Sequence, residues 1–334
     1  MLKRTGDTIF FEKELAIKSF YSVAGKKEGA GPVGEFFHRV LTDTSLGQDS
    51  WESAEGEMQK MALQGAIDNL GKAPDIIFAG DLLNQCIASG YGLLDFETAF
   101  MGLYGACSTI GEALILASIM VEAGFSSLAG AVSSSHFCSA ERQFRFPLEY
   151  GSMRPPTAQW TATASGAILV GERDKNSKVL VKSATLGKSV DLGITDMTNM
   201  GAAMAPAGRS TLAQFFKDTS TRPSDYDRIF TGDLGYEGSR LLYELLEEDG
   251  YDIEKYHSDC GMMIFNMDEK DVNCGGSGCG CSASIFCSYI LKTMEKRELR
   301  KVLFMPTGAM MSPTSVQQGN SIPGIAHLVC LEII

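Results

Sequence analysis

Long apolar runs are missing from this chain. The longest lies within 113–121, well short of the roughly 20 residues that a membrane-spanning helix needs. Basic residues are also scarce: 29 Lys and Arg stand against 41 Asp and Glu, a formal net charge of −12. So acidic a chain repels phosphate at long range and has no polybasic patch for anionic lipid, which argues against nucleic-acid partners and against an electrostatic membrane anchor. Work at a membrane would go through docking on another protein. The opening MLKRTGDTIFFEKEL carries charges where a secretory h-region would be apolar. The nine cysteines are odd in number and sit among small residues and glycines, so reduced thiols in an intracellular compartment are expected rather than a disulfide framework.

What is present is a chain of 334 residues, 44% hydrophobic and 21% charged, enough for one large two-lobed domain or two ordinary domains, with a sizeable core. A strand, loops and a short helix are expected over 9–43. A helix follows over 51–70, stopped by Gly71 and Pro74. The run 75–81, DIIFAGD, reads as a buried strand ending in a tight turn. From Cys107 to Ala123 the only charges are Glu112 and Glu122, the pattern of a helix buried all round. Strands are expected over 127–135, 161–171 and 178–187, and a long loop over 191–206 leads into a helix over 208–218.

The second half repeats the first. DRIFTGD at 227–233 echoes DIIFAGD at 75–81, and GCGCSAS at 278–284 echoes GACST at 105–109. Each opens a mostly apolar helix followed by a strand, 301–306 in the second half, and a small-residue turn, 307–309. Two similar α/β halves packed through buried helices predict five α/β/α/β/α layers related by a pseudo-twofold, with halves over 1–190 and 191–334.

Three clusters are candidates for chemistry. Cys107 stands at a predicted helix start, where unpaired N–H groups and the helix dipole lower a thiol pKa or bind a carboxylate; a small buried cysteine packing there is the plainer alternative. His257, Asp259 and Cys260 lie within four residues and suit a ligand, a metal or a proton, or else a solvated loop with one buried cysteine. Cys274, Ser277, Cys279 and Cys281 lie in a glycine-rich run without the paired CxxC knuckles of zinc sites, so a turn that lets backbone approach a ligand is preferred to a metal. Arg142 and Arg145 could attract an anion, although paired surface charge is the commoner cause of such residues.

Together GDLLNQ (80–85), YGACST (104–109), AERQFRFPLEYG (140–151), DLGITDM (191–197), MGAAMAPA (200–207), TGDLG (231–235), HSDCG (257–261), GGSGCGCSA (275–283) and IPGIAH (322–327) resemble the stage V sporulation protein AD family. The resemblance implies a thiolase-like fold that has lost catalysis and kept its pocket. It implies binding of dipicolinate (pyridine-2,6-dicarboxylate), alone or with calcium, during its movement into the developing spore. No cofactor is implied. The implied partners are the other stage V sporulation A-type membrane proteins, with the chain peripheral at the inner spore membrane and, as is common for the fold, a homodimer. Cys107 matches the condensing-enzyme nucleophile, Asp259 and Cys260 match further pocket positions, and His257 falls near the place of a catalytic partner. Gly276-Ser277 replaces the Gly-Asn turn of ketoacyl-synthase III enzymes. Asp259 either holds calcium or orients neighbouring donors, and one carboxylate is too few ligands for calcium. The alternative reading is an acyl-transfer enzyme using Cys107.

Overall fold

The computed structural model describes residues 3–144, 154–269 and 271–334. Ten strands carry the architecture: β1 (Thr8–Ala24), β2 (Ile76–Gly80), β3 (Ala99–Gly102), β4 (Leu128–Ser135), β5 (Ala164–Glu172), β6 (Val179–Thr185), β7 (Arg228–Thr231), β8 (His257–Asp259), β9 (Lys301–Met305) and β10 (Leu328–Ile333). Read outward from the β1/β6 junction, one half runs β1-β5-β4-β2-β3 and the other β6-β10-β9-β7-β8. The pairing senses agree at every step: antiparallel, antiparallel, parallel, parallel. By strand order β6 is the counterpart of β1, so the second repeat begins at Val179.

Six helices complete the layers: α1 (Trp51–Leu70), α2 (Thr109–Glu122), α3 (Phe137–Phe144), α4 (Met200–Thr219), α5 (Gly235–Glu248) and α6 (Cys279–Ile285). Alternation along the strands sends side chains to two cores. Phe78, Ile168, Phe230 and Phe304 point inward onto Ile110 and Leu114 of α2 and Ile285 of α6. Ile77 and Ala79 point outward onto Met58, Ala62 and Leu63 of α1, while Ile229 and Leu303 point outward onto Met204, Leu212 and Leu242 of α4 and α5. The period-2 strand thus feeds both neighbouring helix layers at once, and the order is helix, sheet, helix, sheet, helix.

Helix α1 has the expected bounds. Ser50 Oγ accepts from Ser53 N at 3.1 Å at its start, and Gly71 ends it at φ +71°. The strand, loops and short helix expected over 9–43 are present, as the 17-residue β1 and a helix at Lys26–Gly29, with β1 at the sheet's centre between β5 and β6. Two expectations are corrected. The loop expected over 191–206 ends early, because Asn199 caps α4 and the helix runs straight through Pro206; a proline there forfeits one i→i−4 bond but does not stop a helix clamped by tertiary packing. The turn at 307–309 is a short strand paired with Gly324–Ala326. Among the described residues no helix is long and apolar enough to cross a membrane, and all nine cysteines are unpaired.

Candidate functional site

The head of α2 is built as a strained elbow. Ala106 takes a left-handed φ of +49°, unusual for a residue with a Cβ, and this turns Cys107 toward the opposite half. Ser108 Oγ returns to Gly105 O at 2.7 Å and Thr109 Oγ1 to Ala106 O at 2.7 Å, locking the turn. Cys107 is 6% exposed and forms the floor of a cavity of about 300 Å³ with Ser277, at the lower end of ligand pockets. The walls are largely apolar: Leu82, Tyr104, Phe144, Met197, Met200 and Met311. Arg154 is the one cationic side chain on the wall among the described residues. Its guanidinium pairs with Glu141 at 2.9 Å and lies 4.6 Å from the Trp160 ring and 5.0 Å from the Phe137 ring.

Asp233, at the end of β7, is the group that answers Cys107. Its carboxylate is fully buried, lies beside the Cys107 thiol, and accepts Gly278 N at 2.9 Å and Thr307 Oγ1 at 3.2 Å. Gly278 can present that N–H because it adopts φ +107°, where a side chain would also strike Ser135. Burial pushes the Asp233 carboxyl up to about 7 against those three groups. The Cys107 thiol is raised well above its ordinary value, first by burial and then by the Asp233 charge. A thiol activated by the helix dipole was expected; desolvation and an adjacent carboxylate reverse the sign.

The structure does not bring His257, Asp259 or Cys260 to the cavity wall. His257 spends both ring nitrogens on Thr231 Oγ1 at 2.7 Å and Tyr243 Oη at 2.8 Å. Burial holds its pKa down at about 3, so it stays neutral. Asp259 accepts from Thr231 Oγ1 (2.7 Å), Leu234 N (2.9 Å), Gly235 N (3.0 Å) and Met262 N (3.2 Å). That set cinches the turn that carries Asp233. Cys260 is wholly buried in the central core. Arg142 pairs with Glu52 outside the cavity, and Arg145 lies outside the described residues. Sequence reasoning missed Asp233 and Arg154 as site residues. The signal for Asp233 was in the duplication, because the GD turn ends the strand facing the other half's helix start; nothing comparable marked Arg154.

Five layers, matched halves and a cysteine at the head of a buried helix define a thiolase-like fold. Among solved structures, a point variant of OleA from Xanthomonas campestris superposes with a TM-score of 0.63 at 11% identity, covering 99% of this chain and 100% of that one. Human mitochondrial 3-ketoacyl-CoA thiolase in complex with CoA gives 0.58 at 9% identity (97% and 99%). The 3-oxoacyl-[acyl-carrier-protein] synthase III of Aquifex aeolicus VF5 gives 0.56 at 10% (95% and 99%). The chain belongs to the stage V sporulation protein AD family, whose sequence pattern matches residues 5–332. Its relative in Bacillus subtilis (strain 168), Stage V sporulation protein AD, is 43% identical over 335 residues, covering 99% of this chain and 98% of that protein.

Proposed function

We propose that this sporulation protein binds dipicolinate in the cavity above Cys107 and supports its uptake into the developing spore, acting beside stage V sporulation A-type membrane proteins at the inner spore membrane as a homodimer. The observation that carries the reading is the cavity's composition: an apolar slot for a flat ring, with the Arg154 guanidinium and its ion-pair partner Glu141 on the wall and thiol and hydroxyl groups on the floor. Calcium, if it accompanies the ligand, would be carried by the ligand's own carboxylates. Among the described residues no imidazole meets Cys107, and burial together with the neighbouring Asp233 carboxylate discourages the thiolate, so the site is a poor one for acyl transfer. Calorimetry with dipicolinate tests the reading. Wild type should give saturable heat, Arg154→Ala should weaken binding about tenfold or more, and Cys107→Ala should weaken it less. No heat with wild type would overturn it.

The elbow at Ala106 favours one second reading, an acyl-transfer enzyme using Cys107. Incubation with an acyl-coenzyme A followed by intact mass decides between them. The binding reading expects an unmodified chain, and an adduct on Cys107 that turns over would replace it.

A further inference from the structure

Asp233 holds a buried carboxylate on Gly278 N, next in sequence to Ser277 of the cavity floor, and beside the Cys107 thiol of the same floor. Four elements pack around it. The turn before α2 offers the Cys107 thiol, and the short strand Thr307–Ala309 offers the Thr307 hydroxyl. The head of α6 offers Gly278 N and the thiols of Cys279 and Cys281. From β8 and the helix after it come Asp259 and Cys260. None of these is a cation, and one is a second acid. A dianionic ligand arriving on Cys107 and Ser277 would therefore add negative charge to a dry space that already holds a buried carboxylate.

Resting on the dipicolinate reading, we infer that ligand binding is coupled to uptake of one proton at Asp233, so that the cavity takes its dicarboxylate together with H⁺. Arg154 offsets one ligand carboxylate from the wall, and the groups around Asp233 offer no easier place for a proton. Asp259 is tied by four donors to the turn it shapes, and Cys107 already carries its proton. Once protonated, Asp233 keeps its bond from Gly278 N. Its new O–H can be taken by Thr307 Oγ1, 3.2 Å from Oδ1, because a hydroxyl rotates from donor to acceptor. The Cys107 S–H is then free to point at the ligand. The proton comes from solvent, and no covalent bond changes.

In the free protein the Asp233 carboxyl sits at about 7 because it is buried. It is mostly protonated at pH 6 and mostly ionised above pH 8. Linkage then fixes the sign: little uptake at the lower pH, close to one proton per ligand at the higher, and affinity falling about tenfold per pH unit above neutrality.

Calorimetric titration of the full chain with dipicolinate, run at about pH 6 and about pH 8.5 in pairs of buffers with different ionisation enthalpies, measures this uptake. The expected result is buffer-dependent heat at the higher pH only. Asp233→Asn, which keeps the acceptor for Gly278 N, should abolish it and flatten the affinity across the range. Saturable binding with the same heat in both high-pH buffers would overturn the coupling while leaving the ligand reading intact, as would uptake that persists in Asp233→Asn. Absence of saturable heat at either pH would overturn the ligand reading and the coupling with it. Should Asp233→Asn fail to fold, the wild-type buffer comparison decides alone.

Discussion

At the scale of residues, the acids divide the labour. Asp233 lies beside the cavity floor, whereas Asp259 holds the backbone that places Asp233. Replacing Asp259 by Ala strands Leu234 N, Gly235 N and Met262 N. The expected cost is on the order of 3 kcal/mol, read as a lower urea midpoint. A variant with unchanged stability but lost dipicolinate binding would return Asp259 to the ligand. Cys107 and Ser277 were legible as residue types at a turn with anion-binding potential. His257, Asp259 and Cys260 were misplaced because adjacency in sequence says nothing of direction: in β8 and the helix start after it, their side chains serve Thr231, the turn at 231–235 and the core.

At the scale of elements, α6 is pressed against the first-half sheet through glycine. A Cβ on Gly280 would stand 2.0 Å from Ala164 O and 2.8 Å from Ser135 N, both backbone atoms of β5 and β4. Neither strand can retreat from its ladder, so Gly280→Ala should cost about 3 kcal/mol or more. Gly90→Ala, where nothing lies within 4 Å, should be close to neutral. Thermal melts of the two variants make the comparison, and equal melting temperatures would contradict the close approach. Most elements could be read from periodicity and stop signals, α1 and the mostly apolar α2 most cleanly. Pro206 hid the first turns of α4, and the length of β1 was obscured because its pairing shifts register between Phe10 and Leu15 and passes from β6 to β5, which breaks simple alternation. The duplication was legible because two strand-turn-helix anchors recur in the same order; that the halves join into one ladder through β1 and β6 depends on long-range pairing no local pattern encodes.

At the scale of the whole molecule, the interior keeps acids in both halves. Asp81, the first-half counterpart of Asp233, is raised by burial despite bonds from Leu83 N and from Ser89 N and Oγ. Its neighbour Glu55 is pushed up to about 8, by burial first and by Asp81 second. Glu28 is pushed up to about 7 by burial. Such groups hold protons in the folded state that the unfolded chain gives up near pH 4.5. Their contribution is therefore full in acid and lost as pH rises through 7 to 8. The buried histidines His38, His257 and His327, held low by desolvation, have the opposite effect only below about pH 6.5. Between pH 7 and 9 stability should consequently fall, by on the order of 2 kcal/mol. Urea melts at several pH values check it, and stability rising across that window would contradict the assignment of proton-bearing buried acids.

The central claim is that a cavity floored by Cys107 and walled by Arg154 is where a planar dicarboxylic acid rests. A crystal structure of the protein grown with dipicolinate measures this most directly. The account predicts the ring between Leu82, Phe144 and Met311, one carboxylate on Arg154 and the other over Cys107 and Ser277, with no bond to sulfur. Ligand density beside His257 and Asp259, or an empty cavity at saturating ligand, would contradict it.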